Sequence, residues 1–410
     1  MARKSFSKIM KKGFFDLFIV WKDEFMHVIT DAGVLIFFLV APLGYPLLYC
    51  CIYNNEVAKE VPMVVVDESN SSRSREFTRL CDATRDVKVV GRCANMSEAE
   101  AALNEKKAYG IMLIPKDFNK NIVRGEKSYV MLYTNMSSLL YYKAFLATLT
   151  EVSLEMNEDI QISKMASLTD RQQEVEVTPL TYEHVTYFNP QSGFASFLIP
   201  AVLVLIIQQT LLMGISLLVG AARDRNTFRN LVPIQNHYRG TFRIVFGKTF
   251  CYLTFYAIVS VYLLWVVPRL FDLPQMGDRL TVALFMLPFL LSCIFFSMTL
   301  SAFVRDRESS FVIFIFLSLI LIFASGISWP ASAVPAYWKA FSYVFPSTFG
   351  IHGFVKMNTM GATLHDVGFE YLSLWVLTFV YFITACLVYR WQILRSERIY
   401  QQSLQKSTNR

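Results

Sequence analysis

Apolar residues along this chain gather into six long runs, at about 32–53, 193–221, 249–268, 280–304, 310–327 and 370–389. A helix needs ~20 apolar residues to cross a hydrocarbon core of ~30 Å, and these runs are of that order. None encloses an Asp, Glu, Lys, Arg or His; Glu370 only opens the last. The pattern predicts an α-helical integral membrane protein with six transmembrane helices.

Three stretches follow other periods. In residues 1–31, Phe6, Met10, Phe14, Phe18, Trp21, Phe25 and Val28 recur at helical spacing, with Lys8, Lys12, Lys22 and Asp23 largely off the stripe. A basic amphipathic helix just before a span lies in the membrane interface. Residues 54–190 instead alternate short β-branched runs (VPMVVVD, VKVVGRC, YGIMLIP, SYVMLYTN) with helical segments, which predicts an inserted, extracytoplasmic α/β domain. Within it, Ser97 followed by Glu100 predicts a helix start, and the helix from about Ser137 either forms a stalk or packs across the sheet. The third stretch, 325–354, carries Trp329, Pro330, Pro335, Trp338 and Pro346 and almost no charge. Non-helical backbone enters a membrane only where protein or a cavity satisfies it. This stretch therefore reads as a re-entrant hairpin plugging the outer half of the membrane before the last span; the competing reading is an amphipathic loop lying on the surface.

Composition supports the membrane class and orients the chain. Hydrophobic residues make up 54% and charged ones 17%, against roughly 25% charged in soluble domains. Basic residues concentrate in the N-terminal segment, in 222–248 (Arg223, Arg225, Arg229, Arg239, Arg243, Lys248), at Arg305 and Arg307, and after Arg390. The opposite loops keep only Arg269, Arg279, Lys339 and Lys356. The positive-inside rule then puts both termini in the cytoplasm and 54–190 outside. No cleavable signal peptide is expected.

Catalytic chemistry is sparse. Gly247-Lys248-Thr249 imitates the end of a phosphate-binding loop, but the glycine required five positions earlier is Phe242, so Lys248 reads as a snorkelling lysine at a helix start. The five histidines make no metal-spaced cluster. Gln208 and Gln209 are the amides of the spans and mark a candidate substrate path; they cannot exchange protons near neutral pH. Without ionisable groups at membrane depth, uphill transport needs energy from another subunit. Cys81 and Cys93 are a candidate disulfide if 54–190 faces an oxidising compartment. In the 222–248 connection, Arg223, Asp224, Arg225 and Arg229 surround Phe228, either an apolar knob for a partner or a solvated turn.

In order, WKDEFMHVITDAG, APLGYPLLY, VPMVVVDESNSSRSREF, YGIMLIPKDF and SGISWPASAVPAYWKAFSYVFPSTFGIHGF resemble the membrane-spanning subunits of ABC-2 type ATP-binding-cassette transporters, the type V exporter-like permeases. The likeness is to bacterial multidrug-type permeases with a large periplasmic insertion after the first span. It implies a half-transporter of a bacterial inner membrane, pairing with a second permease copy or paralogue and with cytoplasmic ATPase subunits. It implies docking on the ATPase around Trp21 and Glu24 and around Arg223, Asp224, Arg225, Phe228 and Arg229. ATP and magnesium would sit on that partner, with no cofactor on this chain. A periplasmic adaptor and membrane lipids are further implied partners; nucleic acid is not. The family's acidic loop motif is reduced here to Asp224. The expected function is export of a hydrophobic or amphiphilic substrate. The alternative is a membrane-anchored receptor or assembly factor acting through the α/β domain.

Overall fold

The computed structural model describes residues 2–53, 58–134, 139–164, 193–228, 241–327, 329 and 333–408. Contacts divide the chain into two units, Met1–Asn54 with Phe194–Arg410, and Asn55–Gly193. The chain opens with α1 (Ala2–Thr30) and α2 (Ala32–Tyr53), the latter relaxed into a π-helical stretch at Ile36–Val40.

The smaller unit follows as β1 (Val61–Asp67), α3 (Ser72–Ala83), β2 (Val87–Cys93), α4 (Met96–Asn104), β3 (Gly110–Ile114), α5 (Phe118–Arg124), β4 (Met131–Thr134) and α6 (Leu139–Lys164). Its sheet has the order β2-β1-β3-β4, with β1 parallel to β2 and β3, and β4 antiparallel. Alternation along β1 divides the core. Val61, Met63 and Val65 meet Phe77 of α3, Phe118 of α5 and Phe145 and Leu149 of α6; Val64 and Val66 meet Ala99 of α4. The start of α4 differs from expectation. Asn95 is the cap, accepting from the Glu98 amide at 2.9 Å, while the Glu98 carboxylate reaches back to the Ala94 amide at 2.8 Å. The helix start expected at Ser97 thus lies two residues earlier, at Asn95. A second correction concerns the cysteines. Cys81 packs in the first core layer and Cys93 against the second, and both are free thiols, so the candidate disulfide is not formed.

The larger unit continues with α7 (Phe194–Asp224), α8 (Thr241–Leu270), α9 (Arg279–Leu300), α10 (Arg307–Ala324), α11 (Ala336–Ser342), α12 (Pro346–Met360) and α13 (Gly368–Thr408). Six of its helices, α2, α7, α8, α9, α10 and α13, are long and apolar enough to cross a membrane. Aspartates start three of them. Asp31 accepts from the amides of Gly33 and Val34, Asp278 from Thr281 and Asp306 from Ser309, which satisfies amides a helix start leaves open. α7 is the most deeply enclosed span, packed against α2, α9, α10 and α12. α12 lies in the body of the unit, with Phe349, Ile351, Phe354 and Met357 in the core. One boundary moves in a way that matters. α8 begins at Thr241, so Lys248, left outside the apolar run by the sequence reading, lies two turns inside the helix.

Candidate functional site

Two helix crossings bring the charged residues of the larger unit together. At Gly247 a β-carbon would stand 2.7 Å from Val20 Cγ1 and 3.2 Å from the Leu17 carbonyl oxygen, so α1 lies directly on α8 there. At Gly220 a β-carbon would stand 2.9 Å from the Arg307 Cα, so the start of α10 rests on α7. Glycine is required at both because any side chain separates the helices.

The first crossing seats Glu24. Val20, Glu24 and Val28 repeat every four residues and form the buried seam of α1. The Glu24 carboxylate lies among apolar neighbours, and both its oxygens are engaged: Lys248 Nζ donates to Oε2 and the Tyr252 hydroxyl to Oε1. Lys248 and Tyr252, four apart, share one face of α8. The ammonium also lies 5.9 Å from the centre of the Tyr389 ring of α13. Carboxylate, ammonium and hydroxyl neutralise and hydrogen-bond one another, the condition for keeping charge out of water. Lys248 is therefore a buried ion-pair partner, and the snorkelling reading is corrected.

The second crossing joins Arg307 to Asp31 through an ion pair and places the Arg307 amide 3.3 Å from the Asp224 carboxylate. Arg223 turns inward: its guanidinium donates to the carbonyls of Val304 and Ala302, the latter at 3.2 Å, and lies 5.6 Å from the Trp391 ring centre. Phe228 is 3% exposed, its ring 6.2 Å from that of Tyr389. It packs within its own chain, which corrects the reading of an apolar knob offered outward. Asp224 and Arg225 are the exposed members of this turn. Arg225 lines a polar cavity of about 370 Å³ with His27, Asp31, Lys248 and Arg307. Arg229 lies outside the described residues.

Trp21 stacks on Phe18 and Phe25, at 5.6 and 5.1 Å between ring centres, and Phe25 continues the stack onto Phe255 of α8 at 4.9 Å. Trp21 borders an apolar groove of about 780 Å³ between α1, α8, α9 and α13, walled by Phe246, Phe250, Phe295 and Phe382. Gln208 is not in that groove. It is sealed between α7 and α9, its Oε1 accepting from Cys293 Sγ at 3.5 Å. The Nε2 atoms of Gln208 and Gln209 are buried without a partner among the described residues.

The far end of α13 carries a second pair, Lys356 Nζ to Glu370 Oε1 at 2.6 Å. Glu370 and Tyr389 are 19 residues apart on one helix, a rise of about 28 Å at 1.5 Å per residue. The two acid–amine pairs thus bracket a length close to the ~30 Å of a hydrocarbon core. Among the described residues, Glu24, Lys248 and Glu370 are the buried Asp, Glu, Lys and Arg side chains, all at those two levels. Near the Glu370 end, Trp329, Pro335 and Trp338 are exposed and Pro346 is buried in the first turn of α12; Pro330 lies outside the described residues.

Sequence reasoning missed Lys248, Tyr252, Asp31 and Arg307 as partners. The available signal was Glu24 on a stripe of valines, because a carboxylate on a buried seam demands a cation, and Lys248 inside an otherwise apolar helix supplies one. No curated protein sequence matches the chain. The family model described as ABC-2 family transporter protein matches residues 32–387, and the chain belongs to that family of membrane permeases.

Proposed function

We propose that this permease is the membrane half of an ATP-driven exporter in a bacterial cytoplasmic membrane, moving a hydrophobic or amphiphilic cargo outward. The family implies an ABC ATPase as partner. The observation carrying the proposal is the fastening of α1 to α8 through Glu24, Lys248 and Tyr252, beside the exposed turn at Asp224 and Arg225. A motor pressing on α1 and on that turn moves the third span directly, because the buried pair allows α1 no independent slide. Docking then uses exposed groups such as Lys22, Asp23, Asp224 and Arg225, with Trp21 and Glu24 transmitting the push. The absence of buried acids and bases between the two charged levels, among the described residues, favours an external motor over an ion gradient. The apolar groove beside Trp21 suits the greasy part of a cargo. Pairing with a second permease copy or paralogue, an extracytoplasmic place for residues 54–190, and release past a hairpin at 325–354 complete the proposal.

The test is reconstitution of the full chain with an ABC ATPase from the same cell. The expected result is co-purification and ATP-dependent movement of a lipophilic dye across the vesicle wall. Glu24→Gln should keep the ATPase bound while transport falls at least about tenfold. A chain that binds no ATPase, or a Glu24→Gln variant with full transport, overturns the proposal.

A further inference from the structure

At the Glu370 end of the bundle, α10, α11, α12 and the start of α13 enclose a cleft of about 590 Å³. Its lining is mostly apolar, with Phe349 buried at the base and Phe323, Phe341 and Phe369 exposed along the walls, and its charged lining is confined to Lys339, His352 and Glu370. Glu370 is already neutralised by Lys356. The His352 ring hydrogen-bonds the Ser325 carbonyl and lies close enough to Lys339, Lys356 and Glu370 to feel all three charges. The Lys339 ammonium has no ion-pair or hydrogen-bond partner among the described residues. Two ammonium groups against one carboxylate leave a net charge of +1 where apolar walls meet the surface. Trp329 and Trp338, more than half exposed, stand at this rim, as indoles do at the level of lipid headgroups.

We propose that this cleft holds one phospholipid with a singly charged anionic headgroup, from the leaflet at the Glu370 end. One acyl chain lies between Phe323, Phe349 and Phe369, and the phosphodiester sits at Lys339 and the His352 edge. The charge is complementary: a single negative phosphodiester meets Lys339, the ammonium of the cleft lining that is left without an ion-pair partner among the described residues. Length is complementary too, since the cleft runs from the headgroup level into the apolar body of the bundle. A zwitterionic lipid brings a cationic group of its own beside Lys339 and loses that advantage. The site requires no motor and no transport, so its occupancy is independent of the exporter reading.

The experiment is native mass spectrometry of the delipidated full-length chain, titrated with phosphatidylglycerol or phosphatidylcholine of matched acyl chains. The chain should retain one phosphatidylglycerol about fivefold more tightly than phosphatidylcholine, the discrimination one lysine provides near a lipid surface. Lys339→Gln should abolish the difference and Lys339→Arg should keep it; the residue is exposed, so both variants fold. Millimolar inorganic phosphate should not displace the lipid, because the chain contributes most of the binding. Equal retention of the two lipids, an unchanged preference in Lys339→Gln, or displacement by phosphate alone overturns the assignment.

Discussion

Glu24 and Lys248 meet with 4% and 7% of their side chains exposed, whereas Lys356 remains 47% exposed while holding Glu370 at 8%. Both contacts join an acid to an amine on neighbouring helices of one bundle, yet they answer to different physics. Around Glu24 the pair meets water only across the edge of the polar cavity, so each charge depends chiefly on the other. Around Glu370 the ammonium is half in solvent, and water takes over much of its work. A buried pair contributes little net stability over apolar packing, but it penalises every arrangement in which the partners separate. The Glu24 pair therefore acts as a register pin, and the Glu370 pair as an anchor near the membrane surface.

The largest effect follows from breaking the pin. Glu24→Gln or Lys248→Met alone should cost about 3–5 kcal/mol, because each strands a buried charge or polar group. Replacing both by methionine should restore most of that loss, since no charge remains to be stranded. Thermal unfolding in detergent measures this, and a double variant whose loss equals the sum of the two single losses would show that the partners are uncoupled. Tyr252→Phe removes one hydroxyl donor to a carboxylate and should cost about 1.5–3 kcal/mol.

The crossings that build the two ends break next. Gly247→Ala places a methyl 2.7 and 2.8 Å from the Val20 Cγ1 and Cβ, a side chain that moves with α1, whereas Gly220→Ala meets backbone atoms of both Asp306 and Arg307 at 2.9 Å. Overpacking costs about 1–3 kcal/mol, with Gly220→Ala expected at the upper end and Gly247→Ala at the lower. The reverse order of melting temperatures would place the tighter contact at α1. Lys356→Met should cost about 1–2 kcal/mol, between the exposed and buried limits. Its effect should shrink when salt rises from 0.1 to 1 M, over which the Debye length falls from about 10 to 3 Å. The Glu24 pair should ignore that change.

How far the sequence foretold this structure depended on how local each cause is. Six apolar runs became six span-length helices because length and composition alone decide that outcome. The strands of the small unit were legible for the same reason, since VPMVVVD and YGIMLIP carry their own β-branched signal. Lys248 was misread because its partner lies 224 residues away on another helix, and no local pattern announces a crossing. The decoy Gly247-Lys248-Thr249 shows the point well. Its glycine makes room for α1, its lysine pairs with Glu24, and its threonine hydroxyl donates to the Val245 carbonyl at 2.7 Å. Phe228 and Arg223 were read as outward-facing because loops usually are; Tyr389 and Trp391 of α13, which hold them, are known only from the fold.

The smallest effect carries the contrast of sealed and half-open sites into the small unit. Burial without a charged neighbour pushes the Cys81 thiol up to about 12, while half-buried Cys93 is raised by burial and by the Glu98 carboxylate. Alkylation needs a thiolate and access, so at pH 7.5 N-ethylmaleimide should label Cys93 at least about tenfold faster than Cys81, as peptide mapping by mass spectrometry reads. Because folding raises the Cys81 pKa, its contribution to stability is full below the free-thiol value and is lost as pH climbs from about 9 toward 12. Labelling of Cys81 should therefore rise steeply above pH 9 as the unit opens, while Cys93 changes only with its own thiolate fraction. Equal rates at pH 7.5 would mean that the two faces of the sheet are equally open; protection of both would mean that they are bonded. Either result contradicts a core in which one thiol is sealed on the inner face of α3 and the other reaches the surface at the end of β2.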